Sequence, residues 1–358
     1  MRTLSPSSSS SARPSVGLVR GAFALALVSL VSLMGCGPAT KSVEARYQNE
    51  RIRYRGKIVT LEDGGVATQG RWTFWYPNGE VQVQGSFERG GAVTDVDCLI
   101  DRTNVPESGR VGEWTGFGRN AIPLWRGVYK KGVKHGLWLR WFESGAPESR
   151  GEFSEGKETG LHTRWYADGA LAEEGEWRAG QRQGLHRKWF EGGQLACEGR
   201  FEGGRPEGMH RVYSPSGAMR EETFYLKGEI SGPRSQWNES GQLFWTGNYV
   251  QGRLEGEVLH YHPNGRVRQS GLFVAGSPVG AHTGFDADGK KVWEQVYVDG
   301  VPQARAAYFA DGTPRAEANF VAGAPTGVQR LWDESGEVAA EATYANGEGH
   351  WVWRRSER

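Results

Sequence analysis

Three consecutive segments carry one 24-residue pattern: GLWLRWFESGAPESRGEFSEGKET (136–159), GLHTRWYADGALAEEGEWRAGQRQ (160–183) and GLHRKWFEGGQLACEGRFEGGRPE (184–207). In each segment an aromatic residue lies five positions after the opening glycine, and a second aromatic lies seventeen positions after it. Residues that recur at a fixed period are usually scaffold, so the repeat is interpreted before any single residue. The pattern describes an architecture rather than a reaction.

Each copy consists of two short runs of residues separated by turn signals. Asn-Gly or Asp-Gly pairs occupy the same turn in different copies, as at Asn78-Gly79, Asp168-Gly169 and Asn264-Gly265. Glycine adopts positive φ angles without a Cβ penalty, so these pairs favour tight hairpin turns. The runs are too short and too rich in glycine for ordinary helices. The sequence therefore predicts two strands per copy in an antiparallel meander.

The repeat array extends over residues 70–347 and contains about eleven copies. An insertion at about 94–111 interrupts it, and the copy that starts at Gln303 is shortened to 23 residues. Two strands advance a sheet by about 10 Å, so ten copies span about 100 Å. The predicted fold class is all-β: an elongated, twisted antiparallel meander sheet.

The core of this sheet is predicted from the repeated aromatics. Those five and seventeen residues after the opening glycine are expected to share one face and to form continuous buried rows, since one copy cannot bury such a face alone. Trp165 is then a core residue and His162 a surface residue. Trp72, Trp114 and Trp138 occupy the position that later copies give to histidine, so they are expected to be exposed.

Residues 1–35 have the features of a signal peptide, with Arg2, Arg13 and Arg20 and an apolar run from 21 to 34 that is too short to span a bilayer. The run ends in LMGC (33–36), which resembles a bacterial lipobox with Cys36 as the lipid-bearing residue. The alternative is a buried helix with an incidental cysteine. Because no aspartate follows Cys36, the lipobox resemblance favours the outer over the inner membrane of the cell envelope.

The remaining segments flank the array. Residues 36–50 are interpreted as the lipidated cysteine and a tether, residues 51–69 as an irregular hairpin that turns at Asp63-Gly64-Gly65, and residues 348–358 as a C-terminal cap strand. Removal of residues 1–35 leaves 40 basic and 42 acidic side chains, because three of the 43 basic residues and none of the 42 acidic ones lie there. A net charge of −2 without a basic stripe argues against nucleic acid as a partner.

The repeated histidines do not predict a metal site. His162, His186 and His210 recur at one position of successive copies, where equivalent atoms lie about 10 Å apart. Zinc requires imidazole nitrogens about 2.0–2.1 Å from a single ion. His260 and His262 are two residues apart and could chelate a metal, but the sequence offers no third ligand. We expect neither a metal nor another cofactor.

The cysteines and the insertion offer little chemistry. Cys98 and Cys197 are separated by about four copies, or roughly 40 Å, whereas bonded cysteines have Cα atoms within about 7 Å. A disulfide would require the insertion to fold back along the sheet; otherwise both thiols are free or buried. Asp95, Asp97 and Asp101 in the insertion lack the spacing of a calcium loop. No catalytic motif stands out, so an enzyme is not expected.

The segments GEFSEGK (151–157) and GLHTRWYADG (160–169) resemble MORN repeats, and more specifically the bacterial variant in the YwqK-type antitoxin family. The resemblance covers most of the array. It implies an elongated antiparallel sheet with binding roles that include toxin neutralisation and membrane or protein association. It transfers no catalytic residue to this chain, and the lipobox sets the chain apart from a cytosolic antitoxin.

These observations favour a lipid-anchored protein that binds a protein partner, with a membrane contact through Cys36. The insertion departs from the period, so Asp95, Asp97 and Asp101 are candidate partner-binding residues. A second hypothesis is a glycan or cell-wall binding lipoprotein that uses Trp72, Trp114 and Trp138. An envelope hydrolase is a third, and it would need a cleft that only the insertion could supply. The sequence leaves the oligomeric state open.

Overall fold

The computed structural model describes residues 39–93, 105–106, 108–345 and 348–353, and in these residues it contains strands and no helix. The predicted all-β meander is confirmed. The strands are β1 Thr40–Arg46, β2 Ile52–Thr60, β3 Val66–Trp75, β4 Val81–Val93, β5 Arg110–Phe117, β6 Pro123–Lys130, β7 Val133–Trp141, β8 Pro147–Ser154, β9 Lys157–Trp165, β10 Leu171–Arg178, β11 Gln181–Trp189, β12 Leu195–Glu202, β13 Arg205–Tyr213, β14 Met219–Leu226, β15 Glu229–Trp237, β16 Leu243–Val250, β17 Arg253–Leu254, β18 Gly256–Tyr261, β19 Val267–Val274, β20 Ser277–Phe285, β21 Lys291–Val298, β22 Val301–Tyr308, β23 Pro314–Val321, β24 Ala324–Trp332, β25 Val338–Ala345 and β26 Glu348–Trp353.

The strands form one open antiparallel sheet in which each strand pairs with its neighbours in the chain. β17 and β18 are two parts of one interrupted strand, because both pair with β16. Within the described residues β1 pairs only with β2, and β26 only with β25, so the sheet does not close. At about 4.8 Å per strand the sheet extends for about 115 Å along its hydrogen bonds. None of the described segments is a helix able to cross a membrane.

Two kinds of turn alternate along the meander. At one end of each hairpin, two successive residues have positive φ angles, such as Ala179 (52°) and Gly180 (83°), as expected for a two-residue type I′ turn. At the other end Gly169 has a φ of 88°, and its N–H donates to the carbonyl of Tyr166 at 3.0 Å. The turn glycines recognised in the sequence therefore have the conformation that glycine alone adopts without strain.

The opening glycine of each copy forms a β-bulge. Gly160 has a φ of 67°, and the residues between Thr159 and Thr163 lie opposite Gly151 alone. In the shortened copy, Gln303 is the single unpaired residue between Pro302 and Ala304. The copy of 23 residues is therefore shorter by one residue of the bulge, and the register of the following strand is preserved.

The register of each hairpin decides which side chains share a face. Phe153 pairs with Gly136, and Trp138 pairs with Gly151, so Phe153 and Trp138 lie on one face, here called the ring face. Trp141 comes three residues after Trp138 and therefore lies on the opposite face. The prediction that the two repeated aromatics share a face is wrong. The cause is the register of the hairpin: Phe153 pairs with Gly136, and Trp141 lies an odd number of residues after Gly136, so the alternation of side chains along β7 places it on the other face.

Deep burial is concentrated at the N-terminal end of the sheet. A cluster of buried residues joins strands β1 to β5: Val43, Tyr54, Ile58, Trp72, Phe74, Val83, Phe87 and Trp114. Val105, which belongs to the insertion at about 94–111, packs against this cluster. β1 lies within the segment 36–50 that was interpreted as a tether, and the hairpin between β2 and β3 turns at Asp63-Gly64-Gly65 as expected.

Candidate binding surface

The ring face carries an almost continuous row of touching rings. Neighbouring ring centroids lie 4.9–6.2 Å apart, mostly in edge-to-face or tilted arrangements. The row runs through Trp72, Phe87, Trp114, Tyr129, Trp138, Phe153, His162, Trp177, His186, Phe201, His210 and Tyr225. A shorter row contains Phe273, His282 and Tyr297. The repeated aromatics and histidines therefore form one surface that spans many copies.

Every second ring of this row rests on a glycine of the preceding strand. A Cβ atom on Gly175 would lie 2.1 Å from Nδ1 of His186, and one on Gly127 would lie 2.2 Å from the Trp138 ring. A ring nitrogen also donates a hydrogen bond to a backbone carbonyl. His186 Nε2 donates to the carbonyl of Glu176 at 2.7 Å, and Trp138 Nε1 donates to that of Val128 at 3.2 Å. We call this arrangement the ring slot; it accepts either tryptophan or histidine.

The tryptophans expected to be exposed are instead buried in ring slots. Trp72 is 1% exposed, Trp114 0% and Trp138 8%. Their burial follows from the glycine beneath each ring and the aromatic of the neighbouring strand beside it. The expectation that these three side chains are exposed is therefore wrong, and their role in binding a partner or a glycan stays a prediction. Trp165, expected in the core, is half-buried on the opposite face.

The histidines of the ring slots are also more buried than predicted. His186 and His282 are 6% and 5% exposed, and His162 and His210 are half-buried. Burial lowers the pKa of His186 and that of His210, although hydrogen bonds to backbone carbonyls oppose the shift. The sequence contained the signal for these positions, because one position of the repeat is tryptophan in the early copies and histidine in later ones.

The row is interrupted where the glycine is replaced. Thr223 stands at the position of Gly175 and Gly199, and the next ring slot contains Arg234. Arg234 Nη2 contacts Glu221 Oε2 at 3.1 Å. Burial would raise the pKa of Glu221, but hydrogen bonds from Thr223, Gln236 and Arg234 outweigh it and lower that pKa. A polar network thus replaces the ring at this point of the sheet.

A shallow pocket of about 200 Å³ lies on the ring face beside this network. Its lining includes Glu173, Lys188 and Cys197 beside His186 and Phe201. Cys197 is a free thiol that is half-buried, and burial raises its pKa. The thiol is therefore held in its protonated form at neutral pH.

Cations lie along one side of the ring row. Lys134 Nζ is 4.5 Å from the centre of the Trp138 ring, and Arg182 Cζ is 5.2 Å from that of Phe201. Burial lowers the pKa of Lys134, and the nearby charge of Arg140 lowers it further. The ring face therefore combines apolar rings with positive charge in its central copies.

The opposite face is held together by ion pairs between strands. Arg187 Nε lies 3.3 Å from Glu198 Oε2, and Arg211 contacts both Glu198 and Glu222, at 3.6 and 3.2 Å. Arg330 similarly joins Glu317 and Glu341, each at 2.9 Å. These exposed or half-exposed pairs join neighbouring strands on that face, and exposed ion pairs contribute little to stability.

Several candidate residues lie outside the described part of the chain. These are Cys36, Cys98, Asp95, Asp97 and Asp101. They remain predictions, as does the partner-binding role of the insertion.

The two histidines considered as a chelating pair are in different surroundings. His260 lies in β18, whereas His262 lies in the following turn, where its Nε2 donates to the carbonyl of Phe285 at 2.8 Å. Among the described residues, histidine, cysteine and carboxylate side chains do not gather in any group of three that could hold a metal ion.

Comparison with protein families identifies three segments, residues 68–89, 254–275 and 325–346, that match the MORN repeat variant family. The curated proteins contain no match. Among solved structures, the match to a GtfA/B complex bound to UDP and GlcNAc covers 37% of this chain and 21% of the matched chain. The sequence identity is 18% and the TM-score is 0.12. The match to a TcdB2–TccC3–Cdc42 structure covers 86% of this chain and 19% of the matched chain, with 9% sequence identity and a TM-score of 0.15. The chain thus spans about a fifth of either protein.

Proposed function

We propose that this protein is a non-enzymatic, lipid-anchored protein of the cell envelope that holds a protein partner against its repeat sheet, in an immunity- or antitoxin-like role. The MORN repeat matches support a repeat-based binding scaffold. The anchor, the envelope location and the toxin-related role rest on the lipobox and on the resemblance to the antitoxin family. The outer membrane is the favoured location.

One observation carries this proposal: the ring row continues from copy to copy on a sheet whose described strands form a single layer. Such an array presents an extended surface to a partner, and its affinity is distributed over several copies. The glycan alternative was motivated by Trp72, Trp114 and Trp138, and their burial removes that motivation.

The anchor is tested by Cys36→Ala. We expect the variant to remain an uncleaved precursor or to be released from the membrane fraction, because lipid on Cys36 is the proposed attachment. Membrane fractionation and the mass of the N-terminal peptide measure this. A processed variant that fractionates with membranes like the parent protein would show that the lipobox interpretation is wrong.

Partner binding is tested by photocrosslinking in intact cells. A photoreactive amino acid replaces Arg164 on the ring face, and the matched control carries it at Arg150 on the opposite face. Deletion of residues 94–104 tests the insertion separately, since β4 and β5 remain complete. We expect a discrete protein adduct from at least one position. Adducts with peptidoglycan alone would favour the cell-wall alternative, and loss of the adduct on deletion of 94–104 would place the insertion in the binding site.

A further inference from the structure

The two edges of the sheet differ in how their outermost strands are protected. Within the described residues β1 pairs only with β2, and its pairing is interrupted by a bulge at Ala45. β1 also carries Lys41, Glu44 and Arg46. The Glu44 carboxylate forms ion pairs with Arg46 at 2.7 Å and with Arg55 at 2.6 Å. Bulges and charged side chains are the usual features by which an edge strand avoids pairing with another chain.

The strand at the other edge, β26, lacks these features. Its sequence, EGHWVW (348–353), contains no lysine, arginine or proline. All six residues of β26 pair with β25 without a register shift, whereas the equivalent pairing of β24 with β23 has a bulge between Glu317 and Asn319. Because β26 pairs only with β25 among the described residues, it presents a regular, unprotected edge.

Two tryptophans of β26 have a neighbouring strand on one side alone. Trp351 pairs with Ala342, and Trp353 pairs with Ala340, which places both rings on the ring face. The two alanines are 2% and 0% exposed, but Trp351 is 37% exposed and Trp353 is 70% exposed. Trp138, which has strands on both sides, is only 8% exposed. A further strand beside β26 would complete the burial of these rings.

The sequence of β26 is suited to pairing with an identical strand. In a two-fold antiparallel pair, residue i of one copy lies opposite residue j of the other, and j lies opposite i. A pair centred on Trp351 sets the two Trp351 side chains opposite each other, and it sets Gly349 opposite Trp353 of the second copy. Aromatic residues directly opposite each other stabilise antiparallel pairs. In the array Trp138 likewise pairs with a glycine, Gly151.

The opposite face at this end of the sheet has space for the side chains of such a strand. An open depression of about 620 Å³ lies against β25 and β26, and its lining includes Glu341, Thr343, Glu348, His350 and Val352. Val352 is 66% exposed. In the pair centred on Trp351, Val352 of the second copy lies opposite His350, at the side of this depression. The second strand therefore covers apolar surface on both faces of the sheet.

We propose that β26 pairs antiparallel with β26 of a second copy of this chain, with Trp351 on the two-fold axis. Gly349, Trp351 and Trp353 all belong to the ring face, so the ring faces of the two copies lie on the same side and form one surface. The outer edges of the dimer are then the protected β1 strands, so the assembly closes at two copies. This inference does not depend on the proposed partner-binding function.

Disulfide trapping in the detergent-solubilised full chain tests the register. Cys98→Ser and Cys197→Ser provide the background, and this background without a further cysteine controls for Cys36. We expect mild oxidation of the Trp351→Cys variant to give nearly complete disulfide dimer, because directly opposite Cβ atoms lie about 4.5–5.5 Å apart.

The matched control is Trp353→Cys, on the same strand and face. In the proposed register its two copies are displaced by four residues, about 13 Å along the strand, so we expect dimer at the background level alone. Trp353 is more exposed than Trp351, so random collisions would trap it at least as well. Equal trapping of both cysteines, preferential trapping at 353, or no trapping at 351 would overturn the proposal.

The mass of the protein in detergent, measured by sedimentation equilibrium with the natural cysteines, tests the dimer itself. We expect a dimer that Trp351→Lys converts to monomer, since a lysine at an edge opposes pairing. Val321→Lys, at a 61% exposed valine of β23, is the control and is expected to remain dimeric. Far-UV circular dichroism checks that both variants are folded.

Three results of the mass measurement would overturn the proposal. A monomeric parent protein would exclude the dimer, and an equal loss in both lysine variants would reduce it to nonspecific apolar association. Masses that grow beyond two copies would indicate head-to-tail pairing of β26 with β1. Photocrosslinks from Arg164 to a partner in cells would persist in Trp351→Lys if the scaffold proposal alone is correct, and the dimer would persist without them if that proposal fails.

Discussion

At the scale of the residue, the glycines beneath the ring slots are required because they have no side chain, and not only because their backbone is flexible. Gly175 has an extended backbone, so its lack of a side chain is required by the His186 ring, 2.1 Å from where a Cβ would be. Where threonine replaces this glycine, at Thr223, the following slot contains Arg234 and no ring. At this point of the sheet the loss of the glycine therefore accompanies the loss of the ring in the next strand.

We expect Gly175→Ala to destabilise the protein by about 1–3 kcal/mol, as overpacking does in well-packed interiors. The added methyl group displaces the His186 ring and its hydrogen bond to Glu176. Gly192→Ala is the matched control, because a Cβ at Gly192 meets no atom within 4 Å and its φ is not positive. Its expected effect is within about 0.5 kcal/mol. The urea concentration at the midpoint of unfolding is measured for both variants. Equal midpoints would show that the His186 ring does not require a glycine at Gly175.

At the scale of the element, the ring slots of β5 and β7 contain tryptophan, whereas those of β9, β11 and β13 contain histidine. All make the same bond from a ring nitrogen to a backbone carbonyl. Only the imidazole titrates near neutral pH. The histidines of β11 and β13, whose pKa values are lowered by burial, therefore make the stability of the central copies dependent on pH, and the tryptophans do not.

The sign of this dependence follows from burial. The pKa values of His186 and His210 are lowered in the folded protein, so the unfolded chain binds protons more tightly. The stabilisation is complete above the ordinary histidine pKa of about 6.5 and is lost as the pH falls from there through the folded-state pKa values. We expect a lower melting temperature at pH 5.0 than at pH 7.5.

The matched variant combines His186→Trp with His210→Trp, which follows the natural precedent of Trp138. We expect its melting temperature to change less between the two pH values than that of the parent protein, since tryptophan does not titrate. The titration of carboxylates contributes equally to the pH dependence of both melting temperatures, so it cancels in the comparison. An identical pH dependence in the variant would exclude these histidines as its source.

The sequence predicted the strands well but misassigned their faces. Turn glycines such as Gly169 and Gly180 mark both ends of every hairpin, so the number and direction of the strands follow from local chemistry. The face of each aromatic depends on the register of its hairpin, such as the pairing of Gly136 with Phe153, which no residue type signals. In that register Trp138 shares a face with Phe153, whereas Trp141, three residues after Trp138, lies on the opposite face. The surface residues could not be identified until that register was known.

At the scale of the whole molecule, the array is uneven in its packing. Trp72, Phe87 and Trp114 are at most 1% exposed and belong to the cluster joining β1 to β5. Beyond Trp138, the buried apolar side chains among the described residues are small, namely Val258, Ala340 and Ala342. Stability in a repeat array is approximately a sum of copies and nearest-neighbour interfaces. The N-terminal copies are therefore expected to stabilise their neighbours.

We expect amide hydrogen exchange to be slowest in β3 to β5 and faster in β19 to β25, because local opening exposes less apolar surface in the later copies. Hydrogen exchange with mass spectrometry of the full chain measures this gradient. Trp114→Ala removes the most buried ring, which is 0% exposed, and is expected to cost about 3–5 kcal/mol. In this variant the loss of protection from amide hydrogen exchange should extend over β3 to β7 and diminish with distance along the array. Uniform protection of all copies, or an equal loss throughout the sheet, would show instead that the array unfolds as one cooperative unit.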